Sequence, residues 1–169
     1  MQNCDRGKSY RTLLLERQGK SFSEFEVTEI LREVLPQLAE LHVRGQARQA
    51  HGAVFLDNLV YDLADNRALL VGAIAPEKQQ PGQASISKDI YSLGVAALAL
   101  LTAKPLNLLR HPDGSWNWEE HCTVSDQLAA MPIPHKSCQQ LTKIQRDFMY
   151  LRLRFHLIVT SRKNRNLNY

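Results

Sequence analysis

Residues 51–62 read HGAVFLDNLVYD, residues 69–80 read LLVGAIAPEKQQ and residues 87–94 read SKDIYSLG, running on into VAALALL at 95–101. The first piece is a polar loop that enters a short apolar run. Leu59 to Tyr61 and Ala68 to Val71 are predicted as two short strands around an Asp65-Asn66 turn, because extended-favouring residues flank turn formers. Ile90 to Leu101 is apolar on every side, which places a helix in the middle of a core. Asp89, immediately before that run, is the predicted N-cap.

Working back toward the N-terminus, Ser23-x-x-Glu26 is a capping box ahead of the strongest helical pattern in the chain. Val27, Ile30, Leu31, Val34, Leu35, Leu38 and Leu41 follow at helical spacing and form one wide apolar stripe. Pro36 falls inside the stripe and predicts a bend, and Gly45 predicts its end. A shorter amphipathic stretch, Ser9 to Arg17, precedes the box and is broken by Gly19 and Lys20. Toward the C-terminus, residues 103–122 read as irregular around Pro105, Pro112 and Gly114. Val124 to Met131 is a short helical candidate stopped by Pro132 and Pro134. Residues 151–157 alternate apolar and basic side chains, a strand period that the flanking FMY and IVT triplets leave open to helix.

The 169 residues suit a single domain, and a hydrophobic content of 44% fills a core. The net charge of +4 is unevenly spread. Residues 1–142 carry 14 Lys or Arg against 16 Asp or Glu, whereas residues 143–169 carry 7 against 1. The basic character therefore belongs to the tail, where it suits either a solvated terminus or contact with nucleic acid or an anionic membrane. Cys4, Cys122 and Cys138 have no metal-ligand spacing, and an odd number makes a poor disulfide framework, so a reducing cytoplasm is expected. MQNCDRGKSY carries no apolar signal core. The longest apolar run, Val95 to Leu101, is too short to span a bilayer. His42, His111, His121, His135 and His156 share no spacing with Cys or carboxylates, and no metal site is expected.

In their order and spacing these pieces resemble the C-terminal lobe of a eukaryotic-type Ser/Thr protein kinase of the bacterial, especially cyanobacterial, kind. His51 stands at the His of the HRDxxxxN catalytic loop and Asn58 at its Asn. Ala75-Pro76-Glu77 reproduces APE, and Asp89 to Gly94 matches the DxxSxG opening of the central buried helix. GKSYRTLLLERQGKSFSEFEV (7–27) is similar to the segment after the hinge, and ILREVLPQLAELH (30–42) to the helix leading into the catalytic loop. The resemblance covers residues 7–131 and implies a mainly α, α+β fold with a small β-hairpin, followed by a divergent basic tail at 132–169. It also implies that the N-terminal lobe, with its glycine loop and lysine strand, is missing.

The resemblance implies ATP and Mg as the family's cofactors, yet the residues that would use them are changed. Ala53 replaces the catalytic Asp, and Gly72-Ala73-Ile74 stands where DFG would bind metal. Asn58 alone survives as a nucleotide-site candidate, and with no carboxylate beside it a loop-bracing role suits it better. In the family the residue at the position of Asp57 is often acidic and points elsewhere, so a role as substitute base is the lesser alternative for it. His51 reads as a packed structural histidine, and Asp89, Glu77 and Gly94 as architectural. Trp116 and Trp118 read as packing anchors. No activation loop separates the DFG position from APE. No Arg is placed as in the family to pair Glu77, which leaves it unpaired or held by Lys136 or Arg146. The expectation is a pseudokinase-type binding module or an inactive remnant, with no bound cofactor; as a module it would use the groove beside the buried helix or the surface that would face an N-lobe. Half of a split kinase, or a tail that binds nucleic acid or anionic lipid, are the alternatives.

Overall fold

The computed structural model describes residues 7–43, 49–75, 78, 85–112 and 116–125. Within them the order is β1 (Gly7–Ser9), α1 (Tyr10–Glu16), α2 (Glu24–Val43), β2 (Leu59–Asp62), β3 (Arg67–Leu70) and α3 (Ile86–Thr102). Two 3-10 turns follow, Leu106–Leu109 and Trp118–Glu120. The fold is α+β: three helices around a small antiparallel sheet of order β1-β2-β3.

The expected hairpin is therefore a three-stranded sheet. Leu59 pairs Leu70 and Tyr61 pairs Ala68 across the hairpin, while Gly7 pairs Asp62 and Ser9 pairs Val60 on its other side. β1 has only three residues and no alternation, so its strand character comes from its partner rather than from its own pattern. Gly7 is what permits the approach: a Cβ there would lie 2.5 Å from the Tyr61 carbonyl oxygen and 2.7 Å from Val60 Cγ1.

α2 begins as its capping box dictates. The Ser23 amide donates to Glu26 Oε2 at 2.7 Å and the Glu26 amide to Ser23 Oγ at 3.3 Å. Arg17 closes on the same carboxylate from the end of α1 and stacks over Phe22. With the Arg17 hydrogen bond as the main cause, the Glu26 carboxyl is held down at about 2. The helix continues through Pro36 to Val43. Its buried stripe, Val27, Ile30, Leu31, Val34, Leu35 and Leu38, meets Leu59, Ala68, Ile90, Leu93, Ala96 and Leu100 to make the core. Polar side chains stitch α2 to β3. Gln37 Nε2 donates to the Ala68 carbonyl at 2.9 Å, the Leu70 amide donates to Gln37 Oε1 at 3.0 Å, and the Ala68 amide donates to Glu33.

α3 starts one turn earlier than the apolar run. Its N-cap is Ser85, whose Oγ accepts from the Lys88 amide at 3.2 Å, not Asp89. The polar residues Ser87 and Lys88 disguise the first turn, and Asp89 lies inside it, free for other partners. The helix closes on Ala103 in a left-handed conformation (φ 50°), whose amide donates to the Ala99 carbonyl. Val124 and Ser125, the start of the expected last helix, are not helical. The Ser125 amide instead donates to Glu24 Oε2 at 2.8 Å, spending the segment on the first turn of α2. The tail at 132–169 and its expected strand or helix lie outside the described residues, as does Gly45. Among the described residues no helix is long and apolar enough to cross a membrane.

Candidate functional site

The end of α2, the loop 49–58 and the first turn of α3 converge on Asp89. Its side chain is almost fully buried, and burying an unpaired carboxylate would cost several kcal/mol. Three donors offset that cost. The His51 amide donates to Oδ2 at 2.6 Å, the Gly52 amide to Oδ1 at 2.9 Å, and His42 Nε2 lies 2.8 Å from Oδ2. Both oxygens are occupied, so the carboxylate is a bracket for the loop. Gly52, at φ 76°, makes the turn that lets consecutive amides face one carboxylate. His42 is the residue that sequence reasoning missed. Its only visible signal is its position at the end of a helical stripe, nine residues before His51.

His51 is buried beneath the loop. Its Nδ1 accepts from the Ala53 amide at 3.3 Å, which puts the proton on Nε2. Burial holds the imidazole below the ordinary histidine range, against the opposing pull of Asp89. It is a neutral packing group under the loop.

The positions that would carry chemistry surround it. Ala53 is buried and presents a methyl group. Asn58 Nδ2 donates to the Ala53 carbonyl at 2.9 Å, tying the two ends of the loop. The Val71 amide donates to the Asn58 carbonyl and the Ile74 amide to the His51 carbonyl, both at 2.9 Å, so the segment after β3 is laid along the loop. Gly72 sits there at φ 73°, and a Cβ on it would stand 3.3 Å from the Asn58 amide group. The fold thus brings His51, Ala53, Asn58 and Gly72 to one place, and among them only Asn58 has a polar side chain near the outside. Asp57 is turned away: both its oxygens accept from Arg11 Nε, at 2.9 and 2.8 Å.

Gly94 lies mid-way along α3, half-buried. Glu77 is outside the described residues, and so are Lys136 and Arg146. Trp118 is buried, while Trp116 carries the Arg110 guanidinium over its ring, with Arg110 also donating to the Tyr91 hydroxyl. Among the described residues no cluster of His, Cys, Asp and Glu is disposed to hold a metal ion.

No protein-family model matches the chain. Over 106 residues it is 31% identical to the Serine/threonine-protein kinase-like protein E of Synechocystis sp., a match covering 62% of this chain and 17% of that protein. The relationship is kinase-like. This chain spans less than a fifth of that relative's length, so the likeness is to one portion of a much longer protein.

Proposed function

We propose that residues 7–131 form a kinase-like C-terminal lobe that acts by binding rather than by phosphoryl transfer. The observation that carries this reading is the pair Ala53 and Gly72. The loop and the segment after β3 are held together by the hydrogen bonds of Asn58 and His51, yet neither of the two positions supplies a carboxylate. Phosphoryl transfer needs one carboxylate to orient the substrate hydroxyl and another, with an Asn, to hold magnesium. The residues present do not fit a magnesium-bound nucleotide. The Asn58 amide is engaged with Ala53, Gly72 has no side chain, and Asp57 is engaged with Arg11. Loss of a positioned base alone removes about two to four orders of magnitude of rate.

What remains suits recognition. The groove beside α3 and the open side of the sheet are the surfaces available for a partner, and no bound cofactor is needed for either. The decisive measurement is phosphate transfer from labelled Mg-ATP to a generic basic protein and to the chain itself, with a thermal shift in Mg-ATP alongside. The expected result is no transfer and no shift over buffer. Transfer above background that is lost in Asn58→Ala would overturn the reading in favour of one part of a split enzyme.

A further inference from the structure

Between α1 and α3 lies a groove of about 900 Å³, floored by Ala96 and Ala99 and walled by Leu14, Leu15, Phe55 and Leu106. Three of these wall residues are unusually exposed for their size, Leu15 at 73%, Phe55 at 47% and Leu106 at 39%. Apolar side chains grouped around a concavity mark a contact surface, whereas scattered ones do not.

Among the described residues the lining comes from two helices and three connecting segments, 18–19, 54–56 and 103–107, and includes no residue of the sheet. An extended peptide laid there would find no strand edge to satisfy its own amides and carbonyls. A helix satisfies them internally, and needs only an apolar stripe to fill the floor.

The rim decides the charge of the occupant. Arg11 is neutralised by Asp57. Lys104 borders the groove, and Arg110 reaches Tyr91, which also lines it. Both cations are exposed, and neither forms a salt bridge with a carboxylate among the described residues. Among the described residues no acidic side chain lines the groove. The C-terminal end of α3 brings about half a negative charge to the same region, less than either cation. The rim is thus net positive. That disfavours the chain's own residues 143–169, with 7 basic side chains against 1 acidic.

We propose that this groove receives an amphipathic helix of a partner protein, apolar along one stripe and acidic on its flanks. This rests on the binding-module reading above and adds the class of partner.

The test uses the full chain and designed, fluorescein-labelled peptides of about five helical turns. One carries leucines at helical spacing with glutamate flanks, a second has lysine flanks, and a third breaks the helix with a central proline. The glutamate peptide is expected to bind about tenfold or more tighter than the lysine peptide at low salt, with the gap closing as salt screens the rim. The proline peptide is expected not to bind. Lys104→Glu with Arg110→Glu should reverse the order of the two charged peptides, and Leu15→Asp should weaken both while leaving the circular dichroism spectrum unchanged. Equal affinity for both charges, binding of the proline peptide, or a self-associated chain whose groove excludes all three would overturn the proposal. Measuring Mg-ATP transfer on the same samples separates the two claims. Absent peptide binding without transfer removes the partner class alone, and transfer removes the module reading itself.

Discussion

The two ends of the loop 51–58 are built to different standards. At its start, His51 and Gly52 hang from a buried Asp89 whose oxygens accept every nearby donor, with His42 behind. From Ala53 onward, Ala53, Asn58 and the facing Gly72 are held in place by backbone hydrogen bonds and one amide, and offer no acid, base or metal carboxylate. Shape at both ends is specified; reactivity at the second is not. A loop can keep its path without its chemistry, because the groups that fix the path are backbone amides and a carboxylate from a different helix.

The contrast breaks most visibly at Asp89. Asp89→Ala leaves two loop amides and His42 without their acceptor inside the core, and is expected to cost about 3–5 kcal/mol, enough to unfold much of the population. Urea denaturation monitored by circular dichroism measures it, and a loss below about 1 kcal/mol would deny the bracket its role. Gly72→Ala comes next. At φ 73°, with the new Cβ 3.3 Å from Asn58, it should lose about 1–2 kcal/mol, read from the same urea midpoint. Asn58→Ala removes one half-buried hydrogen bond and should cost about 1 kcal/mol. Asp57→Asn at the exposed Arg11 pair should change stability by less than about 1 kcal/mol and leave the Mg-ATP thermal shift where it was.

Titration sharpens the same contrast. His51 is held below its ordinary value of 6.5 in the folded chain, so the unfolded chain takes up the proton first. Stability contributed by neutral His51 is complete above that value and declines as pH falls through it. Glu26 acts in a lower window. Its carboxyl is depressed from 4.5 to about 2, so its contribution is present above 4.5 and disappears as pH falls toward 2. Urea midpoints between pH 7.5 and 5 should fall in the wild type and fall less in His51→Gln.

The sequence carried the helices well because their signals are local. The capping box at Ser23 and Glu26 and the stripe from Val27 to Leu38 describe α2 without reference to anything else. β1 was illegible because Gly7, Lys8 and Ser9 become a strand only through Val60 and Asp62. The start of α3 was misjudged because apolarity begins at Ile90, whereas the hydroxyl that ends the loop belongs to Ser85. At the candidate site the sequence itself shows that neither position 53 nor position 72 carries a carboxylate. The His42 contact to Asp89 could not be read there, since it joins residues 47 positions apart. Nor could the Arg11 pairing that turns Asp57 away, across 46 positions.

Glu33 and Gln37 reach from α2 to the outer backbone groups of Ala68 and Leu70. By doing so the helix behaves as a surrogate fourth strand, and the margin of β3 cannot recruit a strand from another chain. A sheet of this size would otherwise be a template for edge-to-edge growth. The amides of Ala68 and Leu70 should therefore exchange with solvent deuterium as slowly as those of a central strand. Gln37→Leu should release the Leu70 amide and the Ala68 carbonyl, leave the Ala68 amide on Glu33, and raise the tendency to aggregate before it alters the fold.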